Sequence, residues 1–248
     1  MRKLIFAANW KMQLGPAGAR KFLGEFLAEY EPVPDREVWF FPPAVSLETV
    51  AGLTRGKQGI VTGAQNVFWE AKGAFTGELS VEMVQESGAG AALIGHSERR
   101  HVFGETDEET GKKVRAVLAG GLLPVLCVGE LIEEREAGET IAVVERQLSV
   151  LEGLDPDSLV KIQVAYEPVW AIGTGKTATP ADAAEVHQAI KQWFADRLVV
   201  EADVSVLYGG SVKPENAGTL VAEPEVDGVL VGGASLDPQA WLSITRAG

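Results

Sequence analysis

The chain has 248 residues, 46% of them hydrophobic and 23% charged, with no biased tract, which supplies a buried core and excludes disordered and fibrous classes. Its 22 Lys and Arg stand against 35 Asp and Glu, and the resulting net charge of −13 repels nucleic acid and anionic membrane surfaces. A single cysteine, Cys127, excludes an internal disulfide framework and a multi-cysteine zinc site, and fits the reducing cytoplasm.

At the N-terminus, Arg2 and Lys3 lead into the apolar run Leu4–Ala8, which is too short for a signal peptide and reads as a strand. Similar runs follow at Glu37–Phe41, Ile60–Gln65, Ala91–Gly95, Leu123–Val128, Lys161–Tyr166, Val204–Tyr208 and Val229–Val231. Segments of helical spacing lie between them, for example Thr106–Leu118, Glu130–Leu151 and Ala181–Leu198, the last opened by Thr179 as a cap and Pro180 in the first turn. The longest uncharged stretch, Ala116–Gly129, falls short of the ~18 residues of a membrane span and contains Gly120, Gly121 and Pro124. Most strands are apolar on both faces, as parallel strands covered by crossover helices are. The alternation predicts an α/β protein, a (β/α)8 barrel filling residues 1–248 as one domain, with a doubly wound open sheet as the alternative.

Either architecture places its site beyond the carboxyl ends of the strands. There the sequence has Asn9-Trp10-Lys11, His96-Ser97-Glu98-Arg99-Arg100 and Glu167-Pro168-Val169-Trp170, with the glycine turns Gly209-Gly210-Ser211 and Gly232-Gly233 after the last two strands. Glycine pairs let backbone N–H groups approach an anion, which is how an acidic protein can hold a phosphate. Glu167, followed by donorless Pro168 and by apolar Val169 and Trp170, has surroundings that make a carboxylate more basic. His96 can present an N–H to a carbonyl, and Lys11 can stabilise the oxyanion that develops there. Together they specify proton abstraction next to a carbonyl.

The small, glycine-rich stretch Ala171–Ala178 reads as a mobile lid. It is not a P-loop, because the first glycine of that motif would fall at Trp170, and its G-x-G-x-x-A letters lie too far from the preceding strand for a dinucleotide fold. His96, Glu98 and His101 lack a metal-ligand spacing, and Arg99 and Arg100 would repel a cation. Cys127 and His187 read as core residues, and Asp107-Glu108-Glu109 as a solvated helix start. The long loop Asn66–Glu78 carries Phe68, Trp69 and Phe75 and predicts a homo-oligomer contact, unless these rings fold back on their own barrel.

These segments, joined by Gly63-Ala64-Gln65-Asn66, Gly73-Ala74-Phe75-Thr76-Gly77-Glu78 and Val231-Gly232-Gly233-Ala234, occur in the order of one family. Over essentially its whole length the chain resembles the triosephosphate isomerases. The resemblance implies the TIM-barrel fold and a glycolytic and gluconeogenic activity, the interconversion of dihydroxyacetone phosphate and D-glyceraldehyde 3-phosphate through an enediolate. It implies that Glu167 moves the proton between carbons, that neutral His96 polarises the carbonyl, and that Lys11 and Asn9 contact the substrate oxygens. Glu98 would partner the lysine, and Ser97 would hold the carboxylate while the lid is open. Backbone amides of Gly173, Ser211, Gly232 and Gly233 would bind phosphate. The lid would comprise Pro168, Val169, Trp170, Ala171, Ile172, Gly173, Thr174, Gly175, Lys176, Thr177 and Ala178. A homodimer is implied, with Phe75 and Thr76 in the contact loop, a tetramer being left open, and no metal or organic cofactor. Two rivals remain at this stage: a Schiff-base aldolase using Lys11 or Lys213, and a non-catalytic sugar-phosphate binding protein.

Overall fold

The structure, a computed structural model, describes residues 3–172, 178–198 and 204–248. Eight parallel strands, β1 (Leu4–Asn9), β2 (Arg36–Phe41), β3 (Ile60–Ala64), β4 (Ala91–Ile94), β5 (Leu123–Val128), β6 (Gln163–Tyr166), β7 (Val206–Tyr208) and β8 (Gly228–Val231), pair in chain order. β8 then pairs with β1, Ala7 opposite Leu230, and closes the barrel in place of the open-sheet alternative.

Alternation along the strands divides the core in two. Ile5, Ala7, Trp39, Phe41, Leu93, Val125, Cys127, Ala165, Leu207 and Leu230 pack together as one buried cluster, the barrel interior. Their neighbours Phe6, Ala8, Val38, Phe40, Ile94, Leu126, Val164, Val206 and Val231 belong to a larger cluster beneath the helices. This explains why the strands read as apolar on both faces. It also aims the site: continuing the inward phase by steps of two brings Asn9 and Lys11 after Ala7, Glu167 after Ala165, Gly209 after Leu207 and Gly232 after Leu230 to one rim.

Several expected boundaries shift. β1 runs on to Asn9, β3 stops at Ala64, and β6 begins at Gln163 rather than Lys161. The single helix expected over Glu130–Leu151 is corrected to the pieces Ile132–Glu136, Thr140–Leu148 and Ser149–Leu151. The first break falls at Gly138, whose φ of 76° is left-handed and ends a helix at little cost. The helix Pro180–Ala195 starts as expected: Thr179 accepts from the Asp182 amide while Asp182 accepts from Thr179 N–H. Among the described residues no helix is long and apolar enough to cross a membrane.

Candidate active site

Lys11 stands just past β1 with a φ of 49°, a left-handed conformation that costs a residue with a β-carbon about 1–2 kcal/mol. Three hydrogen bonds hold it there. The Asn9 carboxamide oxygen accepts from Lys11 N–H at 3.0 Å, and Gln65 Nε2 donates to the carbonyls of both Lys11 and Phe41 at 2.9 Å. The ammonium donates to Glu98 Oε1 at 2.8 Å. Beneath it Trp10 is fully buried, and its indole N–H donates to the Ser235 carbonyl.

His96 follows β4 and caps the short helix Ser97–Phe103: its Nδ1 accepts the Glu98 backbone N–H at 3.3 Å. An Nδ1 that accepts carries no proton, so the neutral ring has its proton on Nε2, which lies 2.9 Å from Glu167 Oε1. The approach to His96 is fixed from below. Gly95 turns at φ 67°, its carbonyl accepts from Arg100 Nε at 2.7 Å, and its N–H donates to the buried Glu105 carboxylate at 3.1 Å.

Glu167 is buried at the mouth of the barrel. Its Oε2 accepts from the Ser97 backbone N–H at 2.8 Å. Two inward glycines make room for it: a β-carbon on Gly129 would meet the Glu167 carbonyl at 1.8 Å, and one on Gly209 would meet Glu167 Cγ at 2.8 Å. Burial pushes the Glu167 carboxyl up, as its apolar neighbours in the sequence suggest, but the His96 imidazole, the Ser97 amide and Lys11 outweigh burial and hold it below the usual carboxylate value. The more basic carboxylate expected from sequence is therefore corrected to a less basic one in this geometry. Burial works against charge on His96 too, yet the carboxylates of Glu167 and Glu98 raise it above its ordinary value. Both directions record one coupled interaction at 2.9 Å; the Glu98 amide on Nδ1 opposes full protonation of the ring.

After Glu167 the chain makes a short turn over Val169–Ala171. Trp170 Nε1 donates to Glu130 Oε1 at 2.8 Å, Tyr166 hydroxyl donates to the same carboxylate, and Arg135 lies 4.7 Å over the Trp170 ring. Arg135 also pairs with Asp182 at 2.7 Å, beside the Thr179 cap. Of the expected lid, Pro168–Ile172 and Ala178 are described; Gly173, Thr174, Gly175, Lys176 and Thr177 lie outside the described residues.

Asn9, Lys11, His96, Glu167, Ser211, Gly232 and Gly233 all line one cavity of about 430 Å³, with Ile172 and Leu230 as apolar wall. Gly232 passes close to the Lys11 stem, where a β-carbon would come within 3.2 Å of Cε, and Gly233 opens a short helical turn to Leu236. The described residues thus bring together the cation, imidazole, carboxylate and glycine turns anticipated from sequence. Among the described residues no group of three or more His, Cys, Asp or Glu side chains is placed to hold a metal ion.

In the long loop, Phe68 and Trp69 are half-buried, their rings tilted by 30° with centroids 4.1 Å apart, and Lys112 lies over the indole. Phe75 is 42% exposed and Thr76 is also exposed, apart from the cavity just described. Sequence reasoning assigned no role to Gln65, Glu130 or Glu105. Gln65 continues the inward phase of β3 two residues beyond Gly63, a signal that period-two counting could have used. Glu130 is seen only through Tyr166 and Trp170, distant in sequence, and Glu105 through Gly95, Arg99 and Lys113, which lie near it in sequence but on separate elements.

A family model described as triosephosphate isomerase matches residues 4–248. The triosephosphate isomerase of Symbiobacterium thermophilum is 48% identical over 251 residues, covering 100% of this chain and 97% of that protein. That of Solibacter usitatus is 48% identical across 99% of this chain and 100% of its own length, and that of Aquifex aeolicus 47% identical across 98% of each. With a closed barrel, a carboxylate, an imidazole and a lysine on its carboxyl rim, and a match along nearly its full length, the chain belongs to the triosephosphate isomerase family.

Proposed function

We propose that Glu167 is the base through which this isomerase interconverts dihydroxyacetone phosphate and D-glyceraldehyde 3-phosphate, the reaction of glycolysis and gluconeogenesis. The observation that carries the assignment is the convergence of Glu167, His96 and Lys11 on one cavity that the glycine turns Gly209–Gly210 and Gly232–Gly233 also line. Glu167 takes a proton from the carbon beside the carbonyl and returns it to the neighbouring carbon. His96 donates from Nε2 to the carbonyl oxygen, and Lys11 stabilises the negative charge that collects on oxygen in the enediolate. Asn9 fixes Lys11 and meets the substrate oxygens, Glu98 orients the ammonium, and Ser97 parks the carboxylate between turnovers. The amides of Gly173, Ser211, Gly232 and Gly233 take the phosphate, and the segment from Pro168 to Ala178 closes over the site to keep water from the intermediate.

The Schiff-base rival needs a free amine at Lys11 or Lys213; Lys11 is ion-paired with Glu98 at 2.8 Å, and for Lys213 the rival predicts a substrate adduct trapped by borohydride, which a Glu167 base does not form. Turnover of D-glyceraldehyde 3-phosphate in D2O tests the proton transfer: deuterium incorporated at the product carbon supports it, and phosphate-analogue binding with no exchange favours a binding protein.

We read the chain as one barrel domain acting in the cytoplasm as a homodimer. Met12, Val45, Phe75, Met83, Val102 and Phe103 are large apolar side chains left exposed, five of them by half or more, and a second cavity of about 260 Å³ lies between Ala44, Gln65, Gly77 and Arg99, with Ala44 and Val84 of its lining next in sequence to Val45 and Met83. That cavity fits the Phe75–Thr76 loop of a second copy. Sedimentation at twice the chain mass supports this assembly, four times the mass indicates a tetramer, and a monomer at micromolar concentration contradicts both.

A further inference from the structure

The substrate is a phosphate ester carrying about −1.5 to −2 charges near neutral pH, and the protein it approaches has a net charge of −13. The charges already assigned to the cavity do little to offset that field. Lys11 is ion-paired with Glu98 at 2.8 Å, and Glu167 is only partly balanced by the imidazole of His96 at 2.9 Å. Lys213 lines the same cavity and follows Ser211 and Val212 on the phosphate turn. Its side chain is exposed and has no ion-pair partner among the described residues. The turn that carries it is fixed: the Asn216 carboxamide accepts from Lys213 N–H at 2.7 Å and donates to the Ser211 carbonyl at 3.1 Å. A rigid base under a flexible four-carbon stem lets the ammonium follow an anion at the cavity mouth without distorting the turn.

We propose that Lys213 draws the phosphate end of the substrate into the cavity, supplying the local positive charge that the global field and the paired Lys11 do not. The claim rests on the isomerase reading of this cavity and adds a substrate-attracting residue to it. Such a group acts on capture through an unscreened field, so its contribution belongs to kcat/KM at low salt and fades as the Debye length shrinks.

The test compares the parent with Lys213→Gln, Lys213→Glu and Lys213→Arg between ionic strengths of about 10 mM and about 300 mM. At the lowest salt Lys213→Gln is expected to lower kcat/KM for D-glyceraldehyde 3-phosphate about fivefold, Lys213→Glu further, and Lys213→Arg to restore it. The differences should converge at high salt, and with unphosphorylated glyceraldehyde the loss should stay under about twofold, because no dianion is being drawn in. A loss that ignores salt, or one that is equal with glyceraldehyde, overturns the proposal, since a distorted turn rather than a missing charge would explain it. Calorimetric binding of phosphoglycolate supplies the same ratio without turnover. An inactive parent would therefore contradict the isomerase reading, while the binding ratio would still decide the role of Lys213.

Discussion

Gly209 lies against the side chain of Glu167: a β-carbon there would come within 2.8 Å of Cγ and 3.1 Å of the Tyr166 carbonyl. Strand alternation brings both residues to the inner rim, and only the missing side chain of one leaves room for the other. Gly209→Ala is expected to displace the carboxylate by a fraction of an ångström to an ångström and reduce kcat about 10- to 100-fold, the scale of a misplaced reacting group. Unchanged kcat in a variant of parental melting temperature would mean that Glu167 accommodates the methyl group freely.

Gln65 stabilises a conformation that Lys11 would not otherwise keep. With φ at 49° and the Gln65 amide on its carbonyl at 2.9 Å, Lys11 is held in place mainly through its backbone. Gln65→Leu should raise KM several-fold while lowering global stability by only about 1–2 kcal/mol, the net worth of the lost amide hydrogen bonds. A fall in stability with KM unchanged would place the role of Gln65 in folding alone.

Below His96, Glu105 accepts from the Gly95 amide, pairs with Arg99, and meets the buried Lys113 ammonium at 2.6 Å. Glu105→Gln keeps the shape and leaves the Lys113 charge uncompensated in the interior. A loss of about 3 kcal/mol in urea unfolding is expected, the scale of breaking a buried pair from one side. A loss below about 1 kcal/mol would show that the Asn66 carboxamide, which already accepts from Lys113 Nζ at 2.8 Å, is enough to hold the buried ammonium.

The His96–Glu167 contact makes stability depend on pH in a definite direction. Glu167, lowered on folding, contributes stability that is present above its unfolded pKa and is lost as pH falls through its lower folded value. His96, raised on folding, contributes stability that is present below its unfolded pKa and is lost as pH rises through its higher folded value. The interaction is therefore fully present between the two ordinary values, 4.5 and 6.5. Thermal melting of the parent against His96→Gln should differ most inside that window and converge on either side. A pH-independent difference would mean that the contact is not ionic.

The barrel was legible because its strands alternate with helical segments and are apolar on both faces, and the rim was legible because Lys11, His96 and Glu167 each follow such a strand directly. Less visible was anything depending on side chains that meet across the fold. The Glu130 carboxylate takes Tyr166 and Trp170, which lie far along the chain, and Gly138 splits a segment whose spacing is helical on both sides. The direction of the Glu167 shift is hidden for the same reason: its sequence neighbours are apolar, but Ser97 and His96, which outweigh burial, reach it from the end of β4. The aromatics of the long loop pack on one another, Phe68 against Trp69 and Phe75, with Phe75 left 42% exposed.

The central claim is that Glu167 moves the proton, and isomerisation of D-glyceraldehyde 3-phosphate in D2O by Glu167→Gln tests it most directly. The account predicts a folded variant that still binds phosphoglycolate, turns over at least about 10³-fold more slowly, and incorporates no deuterium at the product carbon beyond the solution rate. A Glu167→Gln protein that keeps parental turnover and exchange would contradict the account, leaving Glu167 as a structural acceptor for Ser97 and His96.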